Sequence, residues 1–265
     1  MGIHESAIID PKAKLGDVEV GPFSVIGADV ELEDGVRIGP HCVIHGATTI
    51  GSGTVLHSHV VLGDSPQDRK HDLSAKTRLQ IGEGNIFREF VSVHRGSSGG
   101  RGVTTIGSGN YFMANSHVAH DAAVGSDCLF ANSAAIAGHS TVADGAVLSG
   151  LCALHQNARI GRLAMVGGGA MCAQDVPPFT IAQGDRARLF GVNVIGLRRA
   201  GVERAVIQEL KTAWRLLFNS GMSIRVAIGR AKEQFAKTAE VMELIDFIES
   251  SQRGVCRAAF SGGSE

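Results

Sequence analysis

Histidine takes up and releases a proton near neutral pH, and this chain gathers its histidines unevenly. NSHVAHDAAVG carries His117 and His120, with Asp121 directly after; AIAGHS carries His139; HQN carries His155 and Gln156. His139 falls one residue past an 18-residue step from His120, and His155 one residue short of the next step. A histidine steadied by a carboxylate is a general base, able to take a proton from a hydroxyl as that oxygen attacks a carbonyl. Clustered histidines also suit a metal ion or an ordinary solvated face. The step of 18 decides nothing alone, because His41 and His59 share it with no other sign of a site.

The elements that position these residues follow from a period of six. From Ile106, every sixth residue is apolar: Phe112, Val118, Val124, Phe130, Ile136, Val142, Leu148, Leu154, Ile160, Val166 and Cys172. An earlier run spans Val20 to Leu62, and a short one holds Ile81, Phe87 and Val93. Neither a helix of period 3.6 nor a strand of period two gives a strict six. Short strands joined by sharp turns do, with three hexads to a coil and coils about 4.8 Å apart. The aliphatic residue points inward, a small residue sits near each corner, and glycine supplies the unusual backbone angles. Residues 64–80 and 95–105 have no hexad phase and read as loops thrown out from the coils, where function commonly sits.

The repeat stops at QDVPPFTIAQG, since Pro177 and Pro178 cannot continue a ladder. A helical period follows, in stripes Val202–Val206–Leu210–Ala213–Leu217, Ile224–Ile228–Ala231–Phe235 and Val241–Ile245–Ile248, with Ser223 as an N-cap. We therefore expect a repeat domain over residues 1–190 and a small helical domain over 191–265, covering a solenoid end or packing on its side. The final SGGSE is expected to fray.

Composition narrows the function. The chain has 265 residues, a net charge of −1 and 44% hydrophobic residues, so it is neither disordered nor built to attract nucleic acid. Its 35 glycines are near twice the usual share of about 7%. The longest uncharged stretch, residues 38–63, holds four histidines and is no membrane span, and the N-terminus shows no signal peptide. Five cysteines without a CxxC pair read as reduced thiols; Cys42, Cys128 and Cys152 take the small inward position and Cys172 the aliphatic one.

The segments NSHVAHDAAVG, AIAGHSTVADGAVLSG, HQNARIG, MVGGGAMCAQDVPPFTIAQG and FGVNVIGLRR, with SPQDRK and VSVHRG, resemble the UDP-N-acetylglucosamine O-acyltransferases of lipid A biosynthesis. The resemblance runs over nearly the whole chain. It implies a left-handed parallel β-helix, a homotrimer, a cytoplasmic location, and no cofactor or resident metal. It also implies transfer of a 3-hydroxyacyl chain from acyl carrier protein to the 3-position of UDP-N-acetylglucosamine. His120 would be the general base, Asp121 its orienting partner, and the Gly138 N–H the oxyanion donor. His139, His117, His155 and Gln156 would line the substrate cleft, Asp68 and Lys70 would reach the sugar nucleotide across a subunit interface, and Asn193 and Arg199 would contact the uridine and phosphates. Gly168, with Met165 nearby, would limit acyl length.

Ile195, Ala200 and Arg186 depart from residues common in that family, at positions bearing on nucleotide and acyl binding. A zinc hydratase of the γ-carbonic anhydrase kind is one alternative, drawing ligands from His117, His120 and His139, but its HxxxxH spacing is HxxH here. The related lipid A N-acyltransferase needs an N-terminal uridine-binding domain, whereas hexads begin here near residue 9. A non-enzymatic solenoid used for assembly is the third. Acyl carrier proteins are acidic, so Arg198, Arg199, Arg204, Lys211 and Arg215 are the expected docking face.

Overall fold

The computed structural model describes residues 2–259, so the terminal SGGSE lies outside the described residues. Within them the hexads become strands of mostly two residues, stacked in three sheets of nine, eight and ten strands, parallel but for the last strand of the third. These are three faces of a triangular prism. Face 1 runs from Ile8–Ile9 to Met171–Cys172, face 2 from Lys14–Leu15 to Arg159–Ile160, and face 3 from Glu19–Val20 to Thr180–Gln183. The step from coil to coil is 18 residues: His117 pairs with Ala135, and Ala135 with Ala153. The sixth residues fill the prism. Ile106, Phe112, Val118, Val124, Phe130 and Ile136 are all buried, and Phe87, Phe112 and Phe130 stack ring on ring. All five cysteines are buried, and burial pushes each thiol up, Cys128 to about 12.

The excursions are shorter than the loss of phase suggested. Strands Arg78–Ile81 and Val103–Ile106 are four residues long and begin before the next hexad position, leaving loops over 65–77 and 95–102.

Glycine does supply positive φ, as at Gly35, Gly53, Gly109, Gly145 and Gly169, but it shares that task with other residues. Many corner residues with positive φ are not glycine: Asn115, Asp121, Asp127, Ser133, His139, Leu151 and Leu163 lie between 53° and 62°. Such a conformation costs on the order of 1–2 kcal/mol, offset by bonds between coils such as His139 N–H to the His120 carbonyl at 3.0 Å. Glycine is needed where coils approach each other: a Cβ on Gly107 would lie 2.7 Å from the Gly125 carbonyl.

Three corners follow. We call the corner between faces 3 and 1 the ring corner, that between 1 and 2 the histidine corner, and that between 2 and 3 the tail corner. After Thr180–Gln183 the chain turns back in an antiparallel strand, Arg188–Val192, absent from the sequence expectation. Helices α1 (Val194–Arg199), α2 (Arg204–Asn219), α3 (Ile224–Phe235) and α4 (Ala239–Glu249) follow, the first also unforeseen. They pack on Leu163 and Phe179 of the tail corner and are pinned by a two-pronged Arg162–Glu243 ion pair.

The predicted stripes are partly displaced. α2 buries Ile207 and Trp214 beside Leu210, Ala213 and Leu217, while Val202 precedes it. α3 buries Ala227, Ala231 and Phe235 but leaves Ile224 42% exposed. Ser223 stands at the N-cap position without a side-chain capping bond. Among the described residues no helix is long and apolar enough to cross a membrane.

Candidate active site

Adjacent residues of a strand face opposite ways, so His120 and Asp121 meet only because the strand ends there. Asp121 occupies the corner at φ 59°, and this turn brings both side chains together. His120 Nδ1 lies 2.8 Å from Asp121 Oδ2, with His120 9% and Asp121 1% exposed. A carboxylate only accepts hydrogen bonds. Nδ1 therefore carries the proton, and Nε2 is left as the free base.

The 95–102 loop closes over Asp121. Ser97 donates both its N–H (3.0 Å) and its hydroxyl (2.6 Å) to Oδ2, and Gly102 N–H donates to Oδ1 at 3.0 Å. Thr104 Oγ1 accepts the Asp121 N–H at 2.8 Å, and Arg101 donates to the Asp121 and Ala122 carbonyls. Burial pushes the Asp121 carboxyl up, but the bonds from Ser97 and His120 outweigh it and hold it below its ordinary value. It is the permanent anion of the pair. The phase-free loop showed only that something was added to the coil; that it ends on Asp121 is a fact of three dimensions.

One coil further on, Gly138 stands in register with His120, and His139 with Asp121. A Cβ on Gly138 would lie 2.7 Å from His120 Cε1 and 2.8 Å from Nε2, so the imidazole rests on bare backbone. The Gly138 N–H donates to no group among the described residues. The His139 ring meets that of His120 edge-on at 5.1 Å, and its Nδ1 lies 3.9 Å from Asp121 Oδ2. On face 1 behind them, His117 Nδ1 is 2.8 Å from Ser92 Oγ and its ring meets that of His94 edge-on. Burial pushes His94 down to about 4 and lowers His117 too, so both are neutral at pH 7. His94 was not singled out by sequence, since it lies outside the spacing of 18.

His120, Asp121 and His139 present three donor atoms within 4.8 Å of one another, the kind of cluster a metal uses. Both Asp121 oxygens, however, already accept hydrogen bonds, and His117 is outside the cluster. The donor set fits a held imidazole better than a metal centre.

The remaining predicted residues divide by position. His155 and Gln156 are exposed one coil above Gly138. With Ala153, Met171 and Arg186, His155 lines a cavity of about 290 Å³ on face 1. Asp68 and Lys70 lie in the 65–77 loop, where Asp68 Oδ1 accepts the Lys70 N–H. That loop is tied to the other: Ser98 Oγ accepts from Asp72 N–H, and Ser98 N–H donates to His71 Nδ1. Asn193, Arg199, Gly168 and Met165 are not brought to His120 in this chain. Asn193 is buried at the tail corner, capping α1 through Gly196 N–H and donating to the Leu163 carbonyl. Arg199 ends α1, Met165 faces outward on face 3, and Gly168 lies at the ring corner.

Comparison with known proteins adds to this geometry. Residues 175–256 match the family described as UDP N-acetylglucosamine O-acyltransferase, domain 2, and residues 29–64 match the bacterial transferase hexapeptide family. The chain is 43% identical to the acyl-(acyl-carrier-protein)–UDP-N-acetylglucosamine O-acyltransferase of Syntrophobacter fumaroxidans, over 97% of this chain and all of that one. It is 46% identical to that of Halorhodospira halophila, over 96% and 99%. The solved structure of the UDP-N-acetylglucosamine acyltransferase of Bacteroides fragilis superposes with a TM-score of 0.93 at 34% identity, covering 96% of this chain and 99% of that one.

Proposed function

The chain belongs to the acyl-(acyl-carrier-protein)–UDP-N-acetylglucosamine O-acyltransferases, and on that premise we propose that it moves a 3-hydroxyacyl chain from acyl carrier protein to the 3-hydroxyl of UDP-N-acetylglucosamine, the step that opens lipid A biosynthesis. The observation that carries this reading is the buried His120–Asp121 pair with a bare Gly138 amide beside the ring. His120 Nε2 takes the proton of the sugar hydroxyl as its oxygen attacks the thioester carbonyl. The Gly138 N–H donates to the oxyanion of the tetrahedral intermediate. As the intermediate collapses, the carbon–sulfur bond breaks and His120 returns the proton to the leaving thiolate. Ester and free carrier thiol result, and the base is regenerated. Asp121 stays ionised throughout, keeping the proton on Nδ1 and steadying the imidazolium.

The split of the remaining residues points to a homotrimer. Outward positions on face 1 include Ile8, Val25, Val43 and Val61, and those on face 3 include Val55, Ile86, Leu129 and Val147. Face 2 turns out Lys14, Glu31, Gln80 and Thr141. The apolar faces share the ring corner, where Phe23, His41, His59 and Phe90 stack as a column and the two phenylalanines are 59% and 55% exposed. Threefold packing about that corner covers rings and apolar faces together and leaves face 2 in water. Three triangular corners do not fill the space round an axis, so a cleft opens outward between each pair. One copy's face 1, with His120 and the cavity by His155, then looks across at the next copy's face 3 and tail corner. Met165 and Arg199 border the cleft from that second copy, with Asn193 buried beneath as the cap that holds α1 in place, and the acyl chain lies along Ala135 and Ala153 toward Met171. Such an assembly works in the cytoplasm, where acyl carrier protein is found.

The reading is tested by incubating purified protein with UDP-N-acetylglucosamine and a ladder of 3-hydroxyacyl carrier proteins, with products read by mass. One 3-O-acylated sugar nucleotide is expected; no acyl transfer with any donor overturns it. The shared cleft predicts that His120→Ala and Arg199→Ala, each impaired alone, regain activity when co-expressed, because mixed trimers hold some cleft with both residues intact. Absence of any recovery in trimers shown to be mixed counts against the two-copy site.

The donor's docking face follows from charge. Arg204, Lys211 and Arg215 share one side of α2, with Arg198 and Arg199 exposed at the end of α1. Reversing two of the α2 charges, Arg204, Lys211 and Arg215, is expected to raise KM for the acyl donor several-fold, more at low salt, while KM for the sugar nucleotide hardly moves. An unchanged donor KM would place docking elsewhere.

A further inference from the structure

We propose that Ser97 is the positioning residue of the catalytic pair, holding Asp121 and through it the orientation of His120. The inference rests on the acyl-transfer reading for its kinetic arm only.

Ser97 places two donors on one carboxylate oxygen, and it is the same oxygen that holds His120 Nδ1. It is 1% exposed, so no water replaces the hydroxyl if it is lost. Its own position is fixed from both sides. The Ser97 carbonyl accepts from Gly100 N–H, and Ser98 is bonded twice to the 65–77 loop. The fit is close at Gly100 as well, where any side chain would strike the Asp121 carboxylate. The segment 97–102 therefore wraps the anion, and Ser97 aims it.

Removing the Ser97 hydroxyl leaves Oδ2 with fewer donors and more unshared charge. Hydrogen bonds to a charged group are among the stronger ones, so the carboxylate turns that charge on the partners it keeps, the backbone N–H of residue 97 and the imidazole. The ring then holds a second proton more tightly and is a poorer free base at a given pH. The groups facing His120 are Asp121 at its own corner, His139 on the next coil, and His117 and His94 from face 1; Arg101 reaches the carbonyl beside Asp121. Ser97→Ala changes the first of these and leaves the others in place.

The test compares wild type, Ser97→Ala and Ser97→Thr. For Ser97→Ala, kcat is expected to fall on the order of 10-fold, the acid limb of the kcat–pH profile to move to higher pH, and both KM values to stay within twofold. Ser97→Thr, which keeps the hydroxyl, restores kcat and the limb. Proton NMR of the His120 ring gives a readout independent of the reaction: its titration midpoint moves to higher pH in Ser97→Ala and returns in Ser97→Thr. A wild-type midpoint in Ser97→Ala overturns the proposal, as does a loss of kcat that threonine does not repair. A moved midpoint in a protein with no acyl transfer keeps the role of Ser97 and rejects the acyl-transfer reading instead.

Discussion

His120→Ala lowers kcat on the order of 10²–10⁴-fold, the usual contribution of a positioned general base, while KM for either substrate changes by a few-fold at most. The structure says why the effect falls on turnover. His120 Nδ1 bonds to Asp121 alone, and Nε2 bonds to no group among the described residues, so the ring does little for the fold. Its loss does not orphan a buried charge, because Asp121 Oδ2 keeps both donors from Ser97 and Oδ1 keeps Gly102 N–H. The variant should therefore fold and bind, with a thermal midpoint within a few degrees of wild type. Residual turnover comes from orientation of the two substrates and from the Gly138 amide, neither of which needs the ring. Steady-state kinetics with a melting curve on the same preparation checks this. Turnover within threefold of wild type removes His120 from its role.

How much of this was legible in the sequence depended on whether a signal was local or relational. The hexad run from Ile106 to Cys172 is local, and it located the core, because a coil of 18 residues repeats its inward positions without exception. The His120–Asp121 contact is relational. Strand alternation argues against it, and only the left-handed turn at Asp121 reverses that. His139 and His155 are offset from the 18-residue column because they occupy neighbouring columns of the same corner. Ser97 and Gly102 lie in a loop without periodicity, so no pattern could assign them to Asp121. The helical tail was read in part. Its helices pack on the prism as well as on one another, so in α3 the expected Ala231 and Phe235 are buried while the first turn departs, Ala227 facing inward and Ile224 standing exposed. Asn193 and Arg199 lie at the tail corner, away from His120 within the chain, so no spacing in the sequence tied them to the histidines and the resemblance alone named them.

Gly138→Ala is expected to lower kcat on the order of 10²-fold although it adds one methyl group and removes none of the reacting atoms. Gly138 does not hold a positive φ, so alanine is compatible with its backbone. The obstacle is the ring: the new Cβ would lie 2.7 Å from His120 Cε1 and 2.8 Å from Nε2, where ordinary contact begins near 3.4 Å. The imidazole must retreat by more than half an ångström, yet Asp121 and the 97–102 loop hold it from the other side. Either the Nδ1 bond lengthens or the ring turns, and both carry Nε2 off the line to the hydroxyl; misplacement of about 1 Å is enough for a loss of this size. The methyl also narrows approach to the amide meant for the oxyanion. Stability should move little, since alanine's smaller unfolded-state entropy contributes about 0.4–1 kcal/mol against the local strain. Kinetics, a melting curve and the NMR titration of His120 separate the possibilities. A hundredfold loss with an unchanged melt and a shifted ring titration supports the packing of base on backbone. Wild-type kcat in Gly138→Ala would mean that His120 works from a position clear of this glycine.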